Sequence, residues 1–359
     1  MQLSNQSIMF FSRTMGLGGT ENVVLQLCEI FKPLVKKIVV CSCGGVNTKK
    51  LKAMGIRHYI IPDIEKKTPS DVFNIMVKLK RIVKQENISI IHTHHRMAAF
   101  YVRMTGLDKK CTFINTSHNT FTDKRLFTRI AYKNCNLIAC GEMVKKNLQD
   151  VYGLDNVTVI HNAVKAFDAN IIIDEQLKNA KAARKFLIGN VGRLSEQKGM
   201  EYYIKAAPEV LKAHPEADFY IIGSGEDEQK LKDLCKQLDV DVHFLGYRSD
   251  AQNLMSQLDL IVLSSLWEGL PLTPIEAFSV GKTIVATGVD GTLEIVKDGV
   301  NGLLVESRNE KQISERIIWM IEHSDKRSEM ENAAKRTFDT EFNFDVLAKA
   351  YTDYYRRIQ

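Results

Sequence analysis

Residues 264–286 read SSLWEGLPLTPIEAFSVGKTIVA and hold two carboxylates, Glu268 and Glu276, eight positions apart with Pro271 and Pro274 between them. The preceding run LDLIVLSS reads as a strand, so Glu268 and Gly269 fall in a loop. Pro271 or Pro274 suits the first turn of the next helix, where a missing N–H costs nothing. One carboxylate therefore hangs from a loop and the other rises from a helix start. Backbone N–H groups near Leu270, Leu272 and Thr273, at that helix N-terminus, could hold a phosphate. Glu276 could accept hydrogen bonds from ribose hydroxyls, or merely complement the helix dipole.

A second constellation is GNVGRLSEQKG, residues 189–199, where Arg193 and Lys198 bracket a polar turn after another apolar run. Two cations at a strand end suit a diphosphate, because they neutralise charge that grows as a phosphate leaves; taken singly, each is an ordinary surface charge. Near the N-terminus, Gly16, Gly18 and Gly19 lie between an apolar run and an amphipathic one, where glycine lets backbone N–H groups approach a phosphate closely. The sixth position is Glu21, and no acidic residue closes the second strand, so a dinucleotide site has little support. Histidines gather at strand ends: His92, His94 and His95 in IIHTHHRMA, His118 in INTSHNT and His161 in VIHNAV. They lack the Cys or carboxylate companions of a zinc site, and no metal is expected. His58, His214, His243 and His323 read as incidental. Asp239 and Asp241 spell D-x-D, yet they precede the strand VHFLGY, at the amino end of a sheet, and read as a solvated turn.

These residues need strand ends to position them, because in open parallel sheets ligands bind where carboxyl ends, loops and helix N-termini converge. Ile- and Val-rich runs alternate with amphipathic segments: SIMFFS, KKIVVCSC, RHYIIP, SIIHTHH, TFINTS, LIACG and VTVIHN, then KFLIGNVG, DFYIIGSG, VHFLGY, LIVLSS, KTIVAT and NGLLVE. Such patterning predicts two doubly wound α/β domains with parallel sheets covered on both faces. A chain of 359 residues suits two domains of roughly 150 to 200 residues. The expected division is 1–165, with the last helix 343–359 packing back on it, and 166–342; Ala163 to Arg184 reads as the linker. Beyond Val305 three helical segments run to the end.

With 45% hydrophobic and 26% charged residues the composition is that of a folded globular protein. No apolar run is long enough to span a bilayer, and no secretory leader is read, so a cytoplasmic location is expected. Seven cysteines without a C-x-x-C pair read as reduced thiols. The net charge of +6 is unevenly shared: up to Asp168, 25 Lys and Arg face 12 Asp and Glu, giving +13, whereas the remainder holds 24 against 31, giving −7. The basic half could face nucleic acid, an anionic membrane or a phosphorylated acceptor, or serve solubility alone. No aromatic-basic platform reads nucleic acid.

The ordered series GLGGTE, SHNT at 117–120, GRLSEQKG at 192–199, FYIIGSGEDEQKLKDL at 219–234 and the E-x7-E from Glu268 to Glu276 resembles the family 4 glycosyltransferases over nearly the whole chain. That resemblance implies the GT-B architecture, two Rossmann-like domains facing across a cleft, and sugar transfer with retention of configuration and without a metal. The donor would be a nucleotide-diphosphate sugar carrying UDP or GDP. It implies that Arg193 and Lys198 grip the donor's diphosphate, that Glu276 holds the ribose and Glu268 the sugar hydroxyls, and that Gly18 and Gly19 close over the phosphates. His118 matches the histidine that reaches the donor sugar from the first domain. Many members have Glu-Gly-Phe-Gly where this chain has Glu268-Gly269-Leu270-Pro271; Pro271 offers no N–H, which leaves the phosphate to Leu270, Leu272 and Thr273.

The acceptor expected is a saccharide, lipid-linked or on a growing surface polysaccharide, met at the inner membrane face through the basic half. A covalent role for Glu268 is the mechanistic alternative. A catalytically silent sugar-nucleotide-binding subunit and a nucleotide-sugar 2-epimerase are the functional ones.

Overall fold

The computed structural model describes residues 2–66, 68–168 and 170–358. Its contacts divide the chain into two compact units, Met1–Asn162 with Leu347–Gln359, and Ala163–Val346.

In the first unit seven strands form one parallel sheet: β1 (Ser7–Phe11), β2 (Lys37–Ser42), β3 (Arg57–Ile60), β4 (Ile90–Thr93), β5 (Thr112–Ser117), β6 (Asn136–Ala139) and β7 (Val157–Val159), in the order β3-β2-β1-β4-β5-β6-β7. Every residue of β1 is buried, as a central strand covered on both faces requires. Ile8 pairs with Ile38 on one side and Ile90 on the other. The second unit holds β8 (Phe186–Val191), β9 (Ala217–Ile222), β10 (Val242–Phe244), β11 (Leu260–Leu263), β12 (Ile284–Thr287) and β13 (Leu303–Val305), in the order β10-β9-β8-β11-β12-β13, again all parallel. All thirteen strands coincide with the apolar runs read from the sequence. Tyr203, Ile204, Ile313 and Ile317, from helices Met200–Ala213 and Glu310–Glu322, pack with Ile188, Phe219 and Val262 of the sheet. Each such fully buried side chain contributes about 1.5 to 3 kcal/mol of transfer free energy.

Strand order reverses between β1 and β4 in one unit and between β8 and β11 in the other. The carboxyl ends at these two switch points are where a doubly wound sheet opens a ligand crevice.

The contact division lies at 162/163 and 346/347, three and four residues from the expected 165/166 and 342/343. The stretch Ala163–Arg184 is not a free linker; its Ala169 lies outside the described residues, but the rest is built into the second unit. Val164 bridges Asn343, and the Asn253 and Gln257 amides hydrogen-bond the backbone of Ile172 and Asp174. The Asp174 carboxylate caps helix Glu175–Ala182 by accepting from the N–H of Gln176 and Leu177.

The expected C-terminal helix is observed over Phe344–Arg357; Gln359 lies outside the described residues. Its Tyr351 and Tyr355 are buried against the first sheet, where they meet Thr116 and His92. None of the seven cysteines is in a disulfide, and five of them are buried. Among the described residues no helix is long and apolar enough to cross a membrane.

Candidate active site

The loops leaving β8 and β11, side by side at the switch point, carry the second unit's candidate residues. They are stitched together by hydrogen bonds between the two loops. The Asn190 side chain donates to the Ser264 hydroxyl at 2.9 Å, that hydroxyl donates to the Lys198 carbonyl at 3.0 Å, and the Leu266 N–H donates to the Gln197 carbonyl at 2.8 Å. Gly199 closes the turn with φ +54, and a Cβ there would lie 2.3 Å from the Ser264 carbonyl oxygen. Both facts call for glycine.

Lys198 is bonded to one carboxylate of the E-x7-E pair, Glu268, and acts on the other, Glu276, through its charge. Its ammonium donates to Glu268 Oε1 at 2.5 Å, and the Ser265 hydroxyl donates to the same oxygen at 2.7 Å. Glu268 Oε2 has a long contact, 3.5 Å, from the Gln197 amide. The Glu268 N–H is held by the Asp290 carboxylate at 2.9 Å. A Cβ on Gly291 would sit 1.9 Å from the Gly269 carbonyl, so glycine lets that second loop press against the first. Glu268 is buried and Gly269 with it. Glu276 is half-buried on the helix Leu272–Ser279; burial pushes its carboxyl above the ordinary range, and the charge of Lys198 opposes that shift.

Pro271 is the N-cap of this helix and Pro274 sits in its first turn. Leu270 and Thr273 are buried, Leu272 half-buried, and the Thr273 hydroxyl donates to the Val191 carbonyl at 3.2 Å, tying the helix start to β8.

Arg193 behaves differently from Lys198. Its side chain is 72% exposed, and among the described residues its ion pair is with the Glu226 carboxylate, at 3.8 Å, a weaker hold than Lys198 has. Lys198 is fixed, but by Glu268; a diphosphate would have to share it.

In the first unit Gly18 is the N-cap of helix Gly19–Phe31, and both glycines are exposed. A Cβ on Gly18 would meet the Glu21 carboxylate at 2.5 Å, and Glu21 accepts from the Thr14 hydroxyl. The loop before it is pinned to the loop after β2 by Met15 N–H to Gly44 O, 2.8 Å, and Asn47 N–H to Met15 O, 2.9 Å. His118 follows β5, and its Nε2 lies 3.1 Å from His94 Nδ1. Burial pushes the His118 ring down to about 4, so it is neutral near pH 7. His95 is not part of this stack; its Nδ1 caps helix Arg96–Met104 by accepting from the Met97 N–H.

The structure also assembles groups that sequence reasoning passed over. Ser265, Gln197 and Asp290 surround Glu268. At the carboxyl ends of β1, β3 and β4, Arg13 grips Asp63 with two 3.0 Å bonds, and Glu65 lies 3.8 Å from Arg13 and 3.5 Å from His95. The one available signal was position: each lies in a segment that follows a strand. Asp239 and Asp241 are exposed, at the amino edge of the second sheet, as expected of a solvated turn. A shallow cavity of about 830 Å³ opens there beside Lys232, Lys236 and His243, far along the strands from Lys198. Among the described residues no group of three His, Cys, Asp or Glu side chains could hold a metal ion.

Two family models match the chain: Glycosyltransferase Family 4 over residues 17–166 and Glycosyl transferases group 1 over residues 172–337. An uncharacterized glycosyltransferase of Methanocaldococcus jannaschii is 30% identical, over 88% of this chain and 85% of that protein. The UDP-Gal:alpha-D-GlcNAc-diphosphoundecaprenol alpha-1,3-galactosyltransferase of Escherichia coli is 27% identical over 81% of each. Among solved structures, HepE of Anabaena in complex with UDP-glucose superposes with a TM-score of 0.85 at 18% identity, over 98% of this chain and 100% of that one. A glycosyltransferase from Rickettsia africae gives 0.84 at 22% identity, over 99% of each. With two parallel α/β units, a switch-point site carrying Lys198, Glu268 and Glu276, and these relatives, the chain belongs to the family 4 glycosyltransferases and has the GT-B fold.

Proposed function

We propose that the chain moves a sugar, with retention of configuration and without a metal, from a nucleotide-diphosphate sugar to a lipid-linked saccharide acceptor. The observation that carries this reading is Lys198, bound to Glu268 and acting through its charge on Glu276, at the β8/β11 switch point where the start of helix Leu272–Ser279 is tied to β8. A lysine, an exposed arginine and the N–H groups of Leu272 and Thr273 supply the positive potential a diphosphate needs. That is the task a divalent cation performs in other transferases. Glu276 then takes the ribose, and Glu268 Oε2 a sugar hydroxyl. The second unit is the donor half in this reading, and the first carries the acceptor, His118 and the Gly18–Gly19 turn. Relatives named for undecaprenyl-diphosphate-linked substrates support a lipid-linked acceptor.

In the proposed step the bond from C1 to the diphosphate oxygen breaks as the acceptor oxygen bonds C1 from the same face. The acceptor's proton passes to the departing diphosphate, whose charge Lys198 and Arg193 offset. A covalent role for Glu268 is disfavoured because its Oε1 already accepts from Lys198 and Ser265, which lowers its nucleophilicity.

The acceptor's lipid would place the protein at the inner, anionic membrane face. Helix Arg125–Tyr132 supports this: Leu126 and Ile130 are exposed beside Lys124, Arg125, Arg129 and Lys133. Salt-sensitive pelleting with anionic vesicles tests that part.

The whole reading is tested by a melting-temperature panel of UDP-, GDP- and ADP-sugars followed by a transfer assay on a lipid-linked acceptor. Stabilisation by one donor and glycosidic product are expected. Binding without hydrolysis or transfer would mark a silent subunit, and interconversion of free donors a 2-epimerase.

A further inference from the structure

The histidines of the H-T-H-H run are only partly absorbed by the proposed chemistry. His92 is buried and satisfied at both nitrogens: Nδ1 lies 2.7 Å from the Tyr355 hydroxyl and Nε2 2.8 Å from the Thr116 hydroxyl, which meets Tyr351 at 3.2 Å. His94 stacks on His92 with ring centroids 4.3 Å apart and on His118 at 5.4 Å. Its backbone is fixed as well, since the His94 N–H donates to the Phe11 carbonyl at 2.9 Å. Among the described residues the polar contact of the His94 ring is Nδ1 to His118 Nε2, and its buried Nε2 has no partner.

That orphaned nitrogen decides which ring donates. If His118 Nε2–H donated, His94 would carry its own proton on Nε2, and a buried N–H would lack an acceptor. If His94 Nδ1–H donates, the orphan is only a ring lone pair. Burial keeps both rings neutral, so a doubly protonated form does not intervene.

We propose that His94 is a positioning residue, whose Nδ1–H donates to His118 Nε2 and so holds His118 in the tautomer that keeps its proton on Nδ1. The Nδ1–H of His118 is then the donor available to a ligand oxygen. The Tyr355–His92–Thr116 bonds brace the stack from behind, which gives the C-terminal helix a part in the site's geometry. The activity arm below rests on the reading that His118 acts on the sugar; the tautomer arm does not.

The test uses full-length protein with ¹⁵N-labelled histidine and long-range ¹H–¹⁵N correlation spectra, with His118→Gln assigning the signals. The parent should show His118 protonated on Nδ1. His94→Asn, whose amide nitrogen replaces Nδ1, should keep that pattern and turnover within about threefold. His94→Phe keeps a ring but no donor; it should give mixed His118 tautomers and lower kcat about tenfold with donor KM nearly unchanged. A parent spectrum with His118 protonated on Nε2 overturns the proposal without any variant having to fold. So does a His94→Phe spectrum identical to the parent's, or an equal loss of turnover in the Asn and Phe variants. Mixed tautomers in His94→Phe with unchanged kcat would uphold the positioning and remove His118 from the sugar instead.

Discussion

Lys198 and Glu268 form a buried ion pair, 2.5 Å between Nζ and Oε1, and each comes from the loop after one of the two strands that flank the second unit's switch point. Their side chains are 16% and 6% exposed. A pair so enclosed ties stability to chemistry, because removing one partner strands the other's charge.

Lys198→Ala is therefore expected to lower turnover by about a hundredfold or more and the unfolding free energy by about 3 kcal/mol. Adding Glu268→Ala should restore part of the stability and none of the activity. Steady-state rates and urea midpoints on the three variants check both. Parental turnover in Lys198→Ala would break the leaving-group argument.

Burial raises the Glu276 carboxyl above the ordinary 4.5, against the charge of Lys198, so the fold disfavours its ionised form. The unfolded chain keeps that charge more readily, so the group destabilises the fold above its raised folded-state value and has no such effect below 4.5. Glu276→Gln should melt higher than the parent near neutral pH without ligand, lose that advantage in acid, and bind the donor about tenfold more weakly. Equal melting temperatures at neutral pH would contradict this.

His58, His92, His94, His95 and His118, all in the first unit, are held below the ordinary 6.5 chiefly by burial, His118 at about 4. The unfolded state takes up those protons first, so stability is full above 6.5 and falls as pH drops, by up to about 1.4 kcal/mol per pH unit for each histidine. His243, raised by Asp218, works the other way. Denaturant midpoints between neutral pH and about 5, above the range where carboxylates titrate, should fall steadily; a flat profile would contradict the buried, neutral stack.

Chelation with EDTA should leave the transfer rate unchanged, because Lys198, Arg193 and a helix start neutralise the diphosphate. Loss of activity restored by Mg²⁺ or Mn²⁺ would show that these charges are insufficient.

Much of the fold is legible because its strands are parallel and the central ones covered on both faces: LIVL is apolar throughout and SIMFF after its first serine, and a helix follows each. Glu276 lies on the helix that Pro271 and Pro274 announce, with Pro271 at its N-cap. What escaped is contact between distant positions. Tyr355 meets His92 across 263 residues and Arg13 meets Asp63 across 50, and no local periodicity carries such pairings. Ala163–Arg184 escaped for another reason. Its backbone is held by the side-chain amides of Asn253 and Gln257 and not by a strand ladder, while Ile171, Ile172 and Ile173 stay exposed. Asp290 reaches the Glu268 N–H from a left-handed turn, φ 39, that composition does not announce.

Isothermal calorimetry of UDP-, GDP- and ADP-sugars on the parent and on Arg193→Ala/Lys198→Met reads the diphosphate site most directly. One donor should bind the parent, with the double variant at least about a hundredfold weaker. Equal affinity in the two proteins, or no heat from any sugar nucleotide, would mean that the pyrophosphate is held elsewhere or not at all.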